Sequence, residues 1–253
     1  MLISCHEISN IWRVQPKGVL HIGAHEAEEA EDYARLNWGP VIWVEAQSIL
    51  AKKLKSRLKP GENTVFHAAA WDVSGIEIEL KITNNSQSTS LLELGTHQQD
   101  YPDVKVTEIE KVVTTRIDLL LDDSSKFEFV NLDIQGAELR ALKGMGNLLN
   151  QVNYIYTEVN KQEVYVGCAT IEEIENYLET AGFRKVSIRW IPKKGWGDAL
   201  YVRRSHLDPN PIPKIKSALF GMRFYFIYFY HEFGHKAKVF LKNKIPPRNL
   251  HRV

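Results

Sequence analysis

Leu20-His21-Ile22-Gly23-Ala24-His25-Glu26 reads as a β-strand that runs into a small-residue turn and then a helix. Gly23 lets a ligand approach the backbone closely, and the amino end of the helix offers unpaired N–H groups to a carboxylate or phosphate. Val41-Ile42-Trp43-Val44-Glu45 is a second strand, closed by Glu45 about twenty residues beyond the turn, where an acid accepts hydrogen bonds from both hydroxyls of a ribose. A one-glycine turn also serves as plain structure, and a strand-end carboxylate also caps a following helix. Turn and acid at this spacing together favour a nucleoside site. A dinucleotide fingerprint needs three glycines, and Ala27 stands where another is expected, so NAD-dependent hydride transfer is disfavoured.

Outward from these strands, short runs rich in β-branched and aromatic residues alternate with stretches of helical period from Lys17 to Arg204, the pattern of an α/β domain with a mostly parallel sheet. Strands are expected at 18–23, 41–45, 64–69, 127–133, 153–158, 183–188 and 199–203, and helices at 28–36, 48–58, 136–143 and 170–181. Ile76, Ile78, Leu80 and Ile82 alternate with Glu77, Glu79 and Lys81, which predicts a half-exposed added strand over 75–82. Residues 84–103 lack a period and read as a long mobile loop that closes over a site. Thr170 and Glu173 form a capping box, and Gly182 stops that helix in a left-handed turn.

The chain has 253 residues, 44% hydrophobic and 25% charged, which excludes disorder as a whole-chain state. Cys5 and Cys168 are too few for a disulfide framework or a tetrahedral cysteine zinc site and fit a reduced, cytosolic protein. The opening residues carry no secretory signal, and the densest apolar run, 224–230, falls far short of the ~20 residues that span a bilayer. A net charge of +1 hides a division, because residues 205–253 carry +7 and nine of the 26 aromatics while the body carries −6. The Pro-rich stretch 208–213 reads as a hinge. The expected organisation is a domain over 1–204 and a basic, aromatic-rich helical extension over 205–253.

Asp133 follows the apolar strand 127–132, and Glu158 follows Tyr154-Ile155-Tyr156-Thr157. Ligands in open α/β sheets collect outside the carboxyl ends of the strands, so Gly23, Glu45, Asp133 and Glu158 are expected to ring one crevice.

At this point the chain resembles the FkbM-type S-adenosylmethionine-dependent methyltransferases. The resemblance rests on His21-Ile22-Gly23-Ala24-His25, Val44-Glu45-Ala46, Ala68-Ala69, Ser88-Thr89-Ser90-Leu91-Leu92, Val113-Thr114-Thr115-Arg116-Ile117-Asp118, Leu132-Asp133-Ile134-Gln135-Gly136-Ala137-Glu138 with Leu142-Lys143-Gly144, and Gly197-Asp198-Ala199-Leu200. These blocks run in order through residues 17–204 and leave the tail outside. The family pattern usually has Asp where His21 stands, Gly where Ala27 stands, and often Glu where Gln135 stands.

The resemblance implies a class I methyltransferase fold, a Rossmann-like α/β sheet of seven mostly parallel strands whose last strand is antiparallel. It implies S-adenosylmethionine with its amino-acid moiety at Gly23, Ala24 and His25, its ribose at Glu45, its adenine near Ala46 and Ala69, and Asp133 beside it. It also implies an acceptor hydroxyl, with saccharides of glycans or lipid-linked sugars first. Methyl transfer to such a hydroxyl is an in-line displacement, and a sugar hydroxyl is a weak acid that gains from a nearby base. Candidate bases are Asp133, Glu158, His25 and His97, with a turn-capping role standing beside the catalytic one for His25. Asp133, Glu158 and Asn160 alternatively form a set of hard oxygen ligands for a divalent cation such as Mg²⁺. Glu138 is expected as a solvated or salt-bridged helix residue. A relative that binds cofactor or saccharide and transfers nothing is the alternative.

Within the tail, Leu219, Met222, Phe226, Phe229, Phe233, Ala237 and Phe240 recur at helical steps, with Arg223, Lys236, Lys238 and Lys242 mostly off the stripe. Such a helix lies in a membrane interface, which would make the protein peripheral there, or docks on the body or on a second subunit of a homodimer. Nucleic acid is disfavoured, because the body is acidic and carries no recognised reader module.

Overall fold

The computed structural model describes residues 1–121, 126–210 and 212–244, with side chains up to residue 230. The chain divides into two units, Met1–Asn210 and Pro211–Val253.

In the first unit a seven-stranded sheet is built from β1 (Val19–Ile22), β2 (Val41–Glu45), β3 (Asn63–His67), β7 (Phe129–Leu132), β8 (Tyr154–Asn160), β9 (Phe183–Trp190) and β10 (Trp196–Arg203). Their order is β3-β2-β1-β7-β8-β10-β9. Neighbours from β3 to β8 pair in parallel, and β10 runs antiparallel to both β8 and β9. The expected sheet with an antiparallel last strand is therefore present. Every residue of β1, β2 and β7 is buried, as befits central strands covered on both faces.

Side chains alternate between the two faces along a strand, so β1 sends Leu20 and Ile22 into one core cluster and Val19 into the other. The first cluster packs Val130, Leu132, Leu142, Ile174 and Leu178. The second packs Ile8, Tyr33, Trp38, Trp43 and Phe129. The helices are α1 (Cys5–Trp12), α2 (Ala30–Arg35), α3 (Ser48–Arg57), α4 (His97–Asp100), α5 (Ile117–Leu120), α6 (Glu138–Gly144) and α7 (Ile171–Thr180). The capping box at Thr170 and Glu173 is present, and Gly182 has φ +87°.

Three features depart from the sequence reading. Residues 5–12, which carried no expectation, form α1: Ser4 accepts from the Glu7 N–H, and the buried Glu7 carboxylate pairs with Arg189 at 2.7 and 3.0 Å. The added strand, β5 (Glu77–Thr83), belongs to a separate three-stranded sheet with β4 (Ala69–Ala70) and β6 (Val106–Thr115), in the order β4-β6-β5. No strand was expected at β6. Residues 84–103, expected as a mobile loop, are instead stitched to 163–166 by backbone hydrogen bonds, from Thr96 N to Glu163 O, His97 N to Val164 O and Val166 N to Glu93 O.

The described residues of the second unit form one helix, α8 (Ile212–Lys244). Phe233, Ala237 and Phe240 of the expected stripe, and Lys236, Lys238 and Lys242 beside it, lie outside the described side chains. Among the described residues no helix is long and apolar enough to cross a membrane.

Candidate active site

Chain progression reverses between β1 and β7, and in open α/β sheets that reversal opens a crevice at the carboxyl ends of the two strands. A cavity of about 450 Å³ lies there. Gly23, His25, Glu45, Ala46, Asp133 and Glu158 all line it, so the expected ring of strand-end residues is assembled.

The turn after β1 is built differently from its expectation. Gly23 has φ +89°, and a Cβ added there would meet the Asp133 carbonyl oxygen at 1.9 Å, so glycine is required by the neighbouring strand end. The Gly23 and Ala24 N–H groups both donate to Val44 O at 2.9 and 3.1 Å, and Ala27 N donates to Ala24 O. The His25 N–H donates to Glu45 Oε2 at 2.8 Å. These donors are spent on β2 and within the turn rather than left for a ligand, and α2 begins only at Ala30. The His25 ring caps the turn, with Nδ1 2.7 Å from Glu28 Oε1 and Nε2 2.8 Å from Ser86 Oγ. Ala24 packs in the second core cluster and is not among the residues that line the cavity.

Glu45 is 8% exposed, and its Oε1 accepts from Gln47 N at 2.8 Å. Burial raises its pKa against the pull of these N–H donors. Each carboxylate oxygen keeps acceptor capacity beyond its single backbone bond. Beside it Ala46, Leu50, Ala68, Ala70 and Leu80 form an apolar slot. Ala69 packs behind this slot with Leu80, Ile82 and Val112 and is not among the lining residues, so the wall expected from it comes from its neighbours Ala68 and Ala70.

Across the cavity, Gln135 sits at φ +52° and ties two carboxylates together. Its amide nitrogen donates to Asp133 Oδ1 at 2.6 Å and to Glu158 Oε2 at 3.1 Å. The Tyr165 hydroxyl donates to Gln135 Oε1 at 2.5 Å, which fixes the direction of the amide, and Ser90 Oγ donates to the Gln135 carbonyl at 2.7 Å. Glu138 is buried rather than solvated, and its Oε1 accepts from Ile134 N at 3.1 Å and Gly136 N at 3.0 Å. Burial raises Asp133, pushes Glu138 up to about 7, and together with the Asp133 charge lifts Glu158 well above the usual carboxylate range.

Asn160 is not among the residues that line the cavity, and neither of its amide atoms has a partner among the described residues. Among the described residues no three His, Cys, Asp or Glu side chains are grouped to hold a metal ion. Of the ligand set expected from Asp133, Glu158 and Asn160, the two carboxylates line the cavity and share the Gln135 amide, while Asn160 is not among the lining residues.

A third wall is aromatic. His97, Tyr101 and Trp196 line the cavity, with Trp196 Nε1 3.2 Å from the Tyr101 hydroxyl. The His97 ring lies 4.9 Å from that of Tyr101 and 5.3 Å from that of Tyr165, its Nδ1 has no partner, and burial lowers its pKa. Asp198, raised by burial to about 6, accepts from Tyr156 and from Leu2 N, so the segment before α1 reaches the same cavity.

The methyltransferase FkbM domain family matches residues 21–185 of this chain. No curated protein matches it. Among solved structures it is similar to TrmK of M. capricolum in complex with S-adenosyl-homocysteine, at 11% identity over 99% of this chain and 91% of that one, TM-score 0.41. It is likewise similar to a TehB-like SAM-dependent methyltransferase from Corynebacterium glutamicum, at 7% over 79% and 89%, TM-score 0.43. A third is magnesium protoporphyrin IX methyltransferase from Synechocystis PCC 6803 with bound SAM, at 12% over 73% and 69%, TM-score 0.39.

Proposed function

The chain belongs to the FkbM methyltransferase family and is an S-adenosylmethionine-dependent methyltransferase, and from that premise we propose that it methylates a hydroxyl of a saccharide carried on a glycan or glycolipid. The donor set fits the cofactor. Glu45 is a buried carboxylate with spare acceptor capacity at the end of β2, suited to ribose hydroxyls, and the slot of Ala46, Ala68, Ala70 and Leu80 suits a flat adenine. S-Adenosylmethionine supplies the methyl group as an electrophile on sulfonium sulfur.

The observation that carries the acceptor reading is the carboxylate pair beside an aromatic wall. Tyr101 and Trp196 give the cavity an aromatic lining suited to the apolar surface of a sugar, and carboxylates accept from its hydroxyls. Burial and the neighbouring Asp133 charge raise Glu158 well above the usual carboxylate range, which favours its protonated form. Asp133, held by the Gln135 amide, is then the member of the pair that accepts the hydroxyl proton during transfer. His97 is a second candidate base on that wall, with burial lowering its pKa.

The test is transfer of a labelled methyl group to a panel of free and lipid-linked saccharides. The expected product is a sugar methyl ether, and Asp133→Asn is expected to lower turnover by roughly a hundredfold or more while changing S-adenosylhomocysteine affinity about threefold or less. Label on nitrogen overturns the hydroxyl assignment. Tight cofactor binding without transfer to any hydroxyl supports the alternative, a binder that transfers nothing.

We propose in addition that the tail holds the enzyme at an anionic membrane surface, where lipid-linked acceptors reside. Its charge of +7 and the exposed Leu219, Met222, Phe226 and Phe229 support this reading.

A further inference from the structure

Phosphates are commonly held by unpaired N–H groups just beyond a strand end and by Lys or Arg beside them. Here the chain's own acceptors take such N–H groups at each of four strand ends. Beyond β1, Gly23 N and Ala24 N donate to Val44 O, and His25 N donates to Glu45 Oε2 at 2.8 Å. Beyond β2, Gln47 N donates to Glu45 Oε1 at 2.8 Å and Ser48 N to Glu110 Oε1 at 3.1 Å, so the start of α3 is capped from within. Beyond β7, Ile134 N and Gly136 N both donate to Glu138 Oε1, at 3.1 and 3.0 Å. Beyond β8, Lys161 N donates to Gly195 O at 2.7 Å. The side chains of the cavity carry the same sign. Glu28, Glu29, Glu45, Asp133, Glu158 and Asp198 line it, and among the described residues no Lys or Arg does. The Met1 ammonium at its edge lies 3.8 Å from Glu29 Oε1. His25 is held between Glu28 and Ser86, and burial lowers the pKa of His21 and His97, so the latter two rings are neutral at physiological pH.

We propose that the cavity excludes anionic acceptors, so that the enzyme methylates an uncharged ring of an assembled saccharide rather than a sugar phosphate or a nucleotide sugar. The proposal rests on the saccharide reading above and narrows its substrate class. A phosphate or uronate brought into the cavity meets like charge and finds no Lys or Arg to pair with. A neutral ring uses the same carboxylates as acceptors for its hydroxyls. The cofactor escapes the exclusion because it enters as a net cation, its one carboxylate offset by an ammonium and a sulfonium. Activated sugars carry phosphate on the anomeric carbon. The reaction that supplies this substrate is therefore a glycosyl transfer, in which the bond from the anomeric carbon to phosphate breaks and a glycosidic bond forms. In a lipid-linked acceptor the phosphate stays at the lipid end, and the ring that enters the cavity is one beyond it.

The test gives the full-length protein labelled S-adenosylmethionine and matched acceptors: a panel of neutral oligosaccharides, the same oligosaccharides phosphorylated or oxidised to uronates, and uridine diphosphate glucose. Label is expected on neutral members, with kcat/KM roughly tenfold or more lower when the methylated ring itself carries phosphate or uronate. Uridine diphosphate glucose is expected to stay unlabelled. Asp198→Asn keeps an oxygen for Leu2 N and Tyr156 and loses the charge, and it is expected to narrow the preference for neutral rings. Glu29→Gln serves the same purpose at the other edge of the cavity should Asp198→Asn not fold. Equal or better transfer to the anionic acceptors, or a preference that neither variant narrows, overturns the exclusion and leaves the saccharide reading standing. Transfer to no saccharide of either charge overturns the saccharide reading and the exclusion with it.

Discussion

Glu138 illustrates how one side chain acts through others. Its carboxylate accepts two backbone N–H groups of the segment that carries Gln135, and Gln135 in turn holds Asp133 and Glu158. Burial raises its pKa from 4.5 to about 7, so the folded state binds this proton more tightly than the unfolded state does. Its contribution to stability is full below about pH 4.5 and is lost as pH rises toward about 7, the reverse of a salt-bridged carboxylate. Glu138→Gln keeps an oxygen for the two N–H groups and removes the titration. Urea unfolding at a series of pH values is expected to show a shallower decline across that window than in the wild-type chain; an unchanged slope would mean that Glu138 is ionised in the fold. In the sequence this residue looks like any acid in the first turn of a helix. The segment it holds packs closely at Gly136, φ +104°, where an added Cβ would meet Cys168 at 2.9 Å and Tyr165 at 3.0 Å, and single-sequence periodicity carries no sign of that packing.

Elements were legible where both faces of a strand are buried. The runs at β1, β2 and β7 are apolar almost without interruption, and Val41–Glu45 was bounded to the residue. Elements were missed where charge conceals the pattern. In β6, Glu108, Glu110 and Lys111 interrupt the apolar residues because much of the strand faces solvent, and in α1 the buried face includes Glu7 and Ser9. The Gly23 turn was legible as a site, yet its physical reason differs from the expected one: the glycine admits the end of β7 rather than freeing N–H groups for a ligand. Gly23→Ala is therefore expected to destabilise the fold by about 3 kcal/mol or more, roughly a 6–12 °C fall in Tm for a chain of this size, combining left-handed strain with a backbone clash. Gly61 is the control, at φ +88° with nothing near its absent Cβ, and Gly61→Ala is expected to cost only about 1 kcal/mol. Equal Tm shifts for the two variants would remove the β1–β7 contact from the explanation.

At the scale of the molecule, an acidic α/β unit is joined to a basic helix, and opposite charge on the two units asks what each one faces. The 33 residues of α8 extend about 50 Å, long enough to lie along a surface with its basic residues spread over many head groups. Each Lys or Arg near an anionic leaflet contributes about 1 kcal/mol, and the attraction is screened within ~10 Å at 0.1 M salt. The full-length protein is accordingly expected to co-sediment with anionic liposomes, to do so less as salt rises, and to leave neutral liposomes largely unbound. Reversing charge with Lys214→Glu, Lys216→Glu and Arg223→Glu together is expected to reduce the anionic binding without altering S-adenosylhomocysteine affinity. If the stripe instead packs against a second copy of the chain, liposome binding is absent and sedimentation shows a dimer. Loss of that dimer on Phe226→Asp and Phe229→Asp would then assign the helix to self-association and end the membrane reading.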